Sequence, residues 1–368
     1  MTYLDNGATS FHKPESVYRA VQCAMANCAN PGRGGYTAAM AAAATVLRCR
    51  EQAAELFRCQ PEQVVMTGNC THSLNIAIGT LVNPGARVVI SGFEHNAVTR
   101  PLHARNARVK IAGRKLFDWE DTLESVENAL RSGADAAVFT HVSNVFGYVL
   151  PIYEIAALCR QYGVPLIVDA AQSAGMLELD LQRLGADFVA MPGHKGLLGP
   201  QGTGLLLCGR NPLPLLQGGT GSMSAEQDMP DFLPDMAEAG TLNVPGIAGL
   251  TAGMQFVKQQ GVDRIFAREK REAYRCGVAL EKMGFHVFMG EHQGGTVSFV
   301  ADLDCEDMAR LLGEMGIAVR AGLHCAPLAH QSAGTAETGT VRVSFGHDAA
   351  PWQTGNLLLA VENLQGRT

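Results

Sequence analysis

VDAAQSAG (Val168–Gly175) followed by PGHKGLLGPQGTG (Pro192–Gly204) is the stretch that decides how this chain folds. Each motif sits beside a short apolar run, Pro165–Asp169 and Phe188–Met191, and a third run, Gly204–Cys208, follows. The loop between the last two runs is rich in glycine and proline and too short for a crossover helix. Those two strands must therefore run antiparallel. Toward the N-terminus the runs Val64–Thr67, Arg87–Ser91, Val109–Ala112 and Ala136–Val142 alternate with helical patterns at Ser73–Leu81, Leu123–Arg131 and Ile152–Tyr162. Continuous apolar strands separated by helices give a parallel sheet covered on both faces. The expectation is an α/β fold with a mixed, mostly parallel, seven-stranded sheet and one reversed strand near its end.

The rest of the chain is read around that sheet. Gly218–Pro245 is rich in glycine, methionine and proline and long for an ordered loop, which suggests a functional or inter-subunit role. Helical patterns at Ile247–Gln260 and Arg264–Met283 lead into a strand–helix–strand region ending near Leu364, a smaller α+β domain. The expected division is a large domain over 14–245, with 1–13 and 246–368 forming the small one. The longest apolar stretch, Thr37–Leu47, is too short to cross a bilayer and reads as a buried helix. No export signal is read in Met1–Gly7, and no internal repeat is seen.

Of the 368 residues, 47% are apolar and 17% charged, the balance of a globular enzyme with sizeable cores. The net charge of −6 argues against nucleic acid or an anionic membrane as partner. Ten cysteines are scattered without a C-x-x-C pair, so they read as core residues in a reducing cytoplasm, and no metal ligand set is assigned.

Ligands of open α/β sheets sit at the carboxyl ends of strands. Polar residues fall at five such ends: Thr71 and His72; Glu94, His95 and Asn96; Ser143 and Asn144; Asp169 and Gln172; His194 and Lys195. Singly, each has a plainer reading. Asp169 can cap a helix, Lys195 can be a solvated loop lysine, and His95 a hydrogen-bonded structural histidine. Their order and chemistry together point to one pocket.

The D-x-x-Q…GHK-x-x-x-GP pattern resembles class V aminotransferases, and within them the short-loop cysteine desulfurase and selenocysteine lyase branch. The resemblance runs from LDNGATS (Leu4–Ser10) to VRVSFGHD (Val341–Asp348). It implies the fold type I architecture of enzymes dependent on pyridoxal 5′-phosphate, with the larger domain binding the cofactor. Lys195 is then the covalent anchor and proton shuttle, and Asp169 the partner of the ring nitrogen. His95 stacks on the ring, and Gln172 and Asn144 bond its polar edge. Thr71, His194 and the helix N-terminus hold the phosphate. Thr241, in EAGTLN, reaches the phosphate of the neighbouring subunit, which implies a homodimer.

The same resemblance makes Cys325, in RAGLHCAP (Arg320–Pro327), the nucleophile that takes sulfur or selenium from L-cysteine or L-selenocysteine and leaves L-alanine. The plainer reading is a buried cysteine, though the polar, turn-rich setting favours the functional one. A thiolate is the reactive form, and His324 is a candidate to help form it. Arg342 matches the arginine that takes the substrate α-carboxylate, a task suited to its planar fork; Asn144 and His324 complete the expected substrate site. The resemblance also implies a partner protein that accepts the sulfur or selenium. The chain departs from the family pattern at Pro192, Leu323 and Gly7, and Gly346–Asp348 stand near the place of a tyrosine–asparagine–threonine run. Two other readings remain: a β-lyase or aminotransferase of a small amino acid that does not use Cys325, and a binding protein without catalysis.

Overall fold

In the computed structural model, which describes residues 1–32 and 34–365, strand β1 (Thr2–Tyr3) opens the chain. Seven strands then build one sheet: β2 (Val64–Thr67), β3 (Arg87–Ser91), β4 (Arg108–Ala112), β5 (Ala136–Thr140), β6 (Leu166–Asp169), β7 (Phe188–Pro192) and β8 (Gly204–Cys208). Their order is β2-β8-β7-β6-β5-β3-β4. β8 is antiparallel to both neighbours, as the short loop requires, and the other pairs are parallel. β2, β5, β6, β7 and β8 are buried at every position. Edge strand β4 instead carries Arg108 and Lys110 and exposes Val109, the usual defence of an open sheet edge.

Helices α1 (Glu15–Asn27), α2 (Thr37–Phe57), α3 (Cys70–Leu81), α4 (Asn96–Ala104), α5 (Trp119–Arg131), α6 (Ile152–Gln161) and α7 (Leu181–Leu184) occur before β8. Each face of the sheet has its own apolar core. Helix α3 opens at Cys70, earlier than the expected Ser73, because the Asn69 side chain caps it by accepting from His72 N at 2.9 Å. Helix α2 corrects the reading of Thr37–Leu47 as buried. Only Ala39, Ala42 and Val46 of that stretch are buried, while Met40 and Leu47 face outward. A helix has one core-facing stripe, and an alanine-rich sequence does not mark which side it is.

Helix α8 (Val244–Gln260) packs along α1 and α2, and its Val244, Ile247, Leu250 and Met254 belong to a core of the large sheet. The sequence placed the start of the smaller domain at 246, inside this helix; the packing puts α8 with the larger sheet. Ahead of it, Glu238 ties the Gly218–Pro245 segment down through a buried pair with Arg50 at 2.6 Å.

Helix α9 (Val262–Lys282) precedes a second sheet of β9 (His286–Phe288), β10 (Thr296–Val300), β12 (Arg320–Gly322) and β13 (Thr340–Ser344). The short β11 (Ile317–Ala318) pairs with β1, so the first residues join the third core, with Leu4 inside it. Helices α10 (Cys305–Glu314), α11 (Pro327–Ala333) and α12 (Pro351–Gln365) complete this part. Among the described residues, no helix is long and apolar enough to cross a membrane.

Glu94 locks the turn that ends β3. Its Oε1 accepts from Ser91 Oγ at 2.6 Å and from Thr140 N at 2.9 Å, joining β3 to β5 immediately before His95. The side chain is wholly buried, and burial pushes its carboxyl up to about 8. A raised carboxyl contributes stability that is full below its ordinary value of 4.5 and is lost as pH rises through 8. Glu94→Gln has no proton to lose. The wild type should therefore lose stability relative to this variant between about pH 5 and about pH 8 in urea denaturation, and a constant difference would contradict the assignment.

Candidate active site

Thr71, His95, Asn144, Asp169, Gln172, His194 and Lys195 line one cavity at the carboxyl edge of the large sheet, together with Cys70, Thr140 and Pro192. They arrive from five strand ends, and most are held by a local bond. Asp169 ends β6, 2% exposed, and its Oδ1 accepts from Ala171 N at 2.9 Å and from Cys70 Sγ at 3.5 Å. Both bonds fall on Oδ1, so Oδ2 is the oxygen available to a ligand. His95 caps α4, its Nδ1 accepting from Ala97 N at 3.0 Å, which leaves the proton on Nε2 and fixes the ring. Burial lowers its pKa, which favours the neutral ring. Asn144 donates from Nδ2 to the carbonyl oxygen of His324 at 2.8 Å, and Gln172 from Nε2 to that of Gly7 at 3.0 Å.

The loop bearing Lys195 is clamped through the residue before it. The His194 carbonyl oxygen accepts from Ser10 Oγ at 2.9 Å, Ser10 N at 3.1 Å, Thr9 Oγ1 at 3.2 Å and Lys13 Nζ at 3.1 Å. The His194 ring is bonded to Thr9 Oγ1 at 3.0 Å, and burial pushes it down to about 4. Burial, and next the Arg342 charge, lower the Lys195 pKa, which favours the free amine that a carbonyl condenses with.

Cys325 lies at the rim rather than in the cavity. Its thiol-bearing residue is exposed on a turn where His324 and Cys325 both have positive φ, 48° and 57°. Two bonds dock the turn: Asn144 holds the His324 carbonyl, and Asn96 N donates to the Cys325 carbonyl oxygen at 2.7 Å. That turn sends the two side chains opposite ways and corrects the expectation for His324. Its ring is buried between Thr340, which Nε2 approaches at 3.3 Å, and the His330 ring, 5.8 Å away. Burial, then Arg342, push it down to about 2, so it is a very weak proton acceptor and is not part of the cavity lining.

Arg342 on β13 is 2% exposed and stands behind Asn144, donating to its carbonyl oxygen at 3.0 Å and to Asp5 Oδ1 at 2.5 Å. Thr241 is not brought to Lys195 within this chain. It lines an adjoining hollow with Gly68, His72 and Asn243, beside the start of α3. Sequence reading missed Cys70, Asp5 and the Thr9–Lys13 clamp. Cys70 resembled the other core cysteines, and the clamp works through a backbone carbonyl, which has no sequence signature.

A buried amine, a buried carboxylate with one free oxygen and a capped helix N-terminus in one cavity fit an aldehyde, a basic ring nitrogen and a phosphate. The model of the aminotransferase class-V family matches residues 2–351, and the chain belongs to that family. It is accordingly an enzyme dependent on pyridoxal phosphate. The chain is 33% identical to a probable cysteine desulfurase of Methanothermobacter thermautotrophicus, over 93% of this chain and 89% of the relative. It is 30% identical to the cysteine desulfurase of Haloferax volcanii, over 94% and 85%. Its fold is similar to the apo cysteine desulfurase of Thermococcus onnurineus, with a TM-score of 0.90 at 29% identity, covering 100% and 95% of the two chains. The S-sulfonic acid form of an Escherichia coli cysteine desulfurase gives 0.85 at 27%, covering 99% and 94%.

Lys195→Ala should bind the cofactor without fixing it. After borohydride treatment and denaturation, the wild type should retain pyridoxyl label on the peptide carrying Lys195 and the variant should release it. Label retained by the variant would place the covalent anchor elsewhere.

Proposed function

We propose that the protein is a cysteine desulfurase that moves sulfur from L-cysteine to Cys325 and releases L-alanine. The observation that carries this reading is the docking of the Cys325 turn onto Asn96, which follows His95, and onto Asn144, which lines the cavity. In the division of labour, Lys195 anchors the cofactor and shuttles the proton at the substrate α-carbon. Asp169 pairs with the ring nitrogen, His95 covers the ring, and Gln172 and Asn144 hold its polar edge. Thr71 and His194 take the phosphate, and Arg342 takes the α-carboxylate. Bound pyridoxal phosphate supplies the electron sink. The Cys325 thiolate attacks the substrate sulfur. The S–S bond forms as the Cβ–S bond breaks, Cβ gains a proton, and alanine leaves while Cys325 holds a persulfide.

L-Selenocysteine fits the same description, since packing distinguishes sulfur from selenium poorly. The exposure of Cys325 supports hand-over of the persulfide to an acceptor protein. Exposed Tyr18 and Met25 on α1, Met40 and Leu47 on α2, and Leu213, Leu215 and Leu216 support a homodimer in which Thr241 reaches the partner's phosphate. Ten free cysteines support a reducing, cytoplasmic setting. The proposed domains are the cofactor-binding sheet with its helices and the smaller four-stranded unit joined by the N-terminal residues.

Alanine release from L-cysteine and from L-selenocysteine, measured in parallel for wild type and Cys325→Ala, tests the reading. Release from L-cysteine should fall by at least about a hundredfold in the variant with cofactor absorbance retained. Unchanged turnover of L-cysteine would assign a β-lyase or aminotransferase chemistry that bypasses Cys325.

A further inference from the structure

Residues Asp5–Lys13 form a strap that runs from the small sheet to the Lys195 loop. At its far end, Thr9, Ser10 and Lys13 hold the His194 carbonyl. In its middle, the Gly7 carbonyl accepts from Gln172. At its near end, Asp5 meets Arg342. A guanidinium only 2% exposed is costly to leave unpaired, and Asp5 prevents that: Nη2 donates to its Oδ1 at 2.5 Å. Nη1 is engaged by the Asn144 carbonyl at 3.0 Å, while the buried Nε has no partner. The arginine is thus held by one carboxylate and has donor capacity to spare. Gly7 permits the fit, because a Cβ there would stand 3.2 Å from both Arg342 Cζ and Ser344 Oγ. The Asp5 side chain, at 19% exposure, lies nearer to solvent than the arginine it holds.

We propose that Asp5 is a resident carboxylate that occupies Arg342 until a substrate α-carboxylate displaces it, and so limits how tightly amino acids are held while leaving the binding of simple amines unchanged. The inference rests on the reading that Arg342 receives that carboxylate. Exchange of one carboxylate for another keeps the guanidinium paired throughout, so only a ligand bringing its own carboxylate moves Asp5 at little cost. An amine without one leaves Asp5 in place and gains nothing from Arg342. The other anchors of the strap, at Gln172 and His194, do not depend on the Asp5 side chain, so the exchange need not disturb Lys195. Arg342 thus supplies the preference for amino acids, and Asp5 acts through it as a positioning residue that keeps their affinity in check.

The test titrates cofactor-loaded wild type, Asp5→Asn and Arg342→Lys with L-alanine and with ethylamine, which share the amine but not the carboxylate. Binding is read from the cofactor absorbance, without turnover. Asp5→Asn should bind L-alanine about tenfold more tightly and ethylamine unchanged. Unchanged or weaker alanine binding overturns the proposal. Arg342→Lys should lose the preference for alanine over ethylamine, and if it does not, the reading of Arg342 itself fails. A second readout needs no cofactor: thermal unfolding of Asp5→Asn in formate against chloride at equal ionic strength. Formate should restore the stability the variant loses and leave the wild type unmoved. A variant that folds only in formate gives the same result, and one that formate does not stabilise overturns the proposal.

Discussion

The backbone from Pro192 to Gly204 has to turn β8 back along β7 with no helix to help, and the site is arranged around that turn. Its tightness is backbone against backbone. A Cβ on Gly175 would stand 2.4 Å from the Gly196 carbonyl oxygen, and one on Gly196 would stand 2.4 Å from that of Ala174. Gly175 also has φ of 83°, where side chains are strained. The two motifs are therefore one packed unit: the loop after Asp169 supports the loop that carries Lys195. The amine and the carboxylate are set relative to each other before any ligand arrives, which is the preorganisation a cofactor site needs.

That unit explains why so much was legible. The five strands buried at every position were read from continuous apolar runs, because a strand buried on both faces has no polar positions to hide it. The reversed strand followed from loop length alone, and the pocket followed from polar residues at the strand ends. Seven of the expected cofactor residues line one cavity.

What escaped the sequence has physical causes. The outward face of α2 is largely apolar over Thr37–Leu47, so composition marked that stretch as buried when geometry exposes Met40 and Leu47. His324 was placed beside the thiol by adjacency, but two successive residues with positive φ point it into the interior. The start of α3 depended on one capping side chain, Asn69. The His194 clamp joins residues more than 180 positions apart through a backbone oxygen, and only the folded chain brings them together.

The central claim is that substrate sulfur comes to rest on Cys325 at the rim of this cavity. Peptide mass mapping after incubation of the cofactor-loaded enzyme with L-cysteine, without an acceptor or reductant, tests it directly. The account predicts one added sulfur atom on the peptide carrying Cys325 and none on the peptide carrying the buried Cys70. Alanine production with Cys325 unmodified, or the added sulfur on another cysteine, would contradict it.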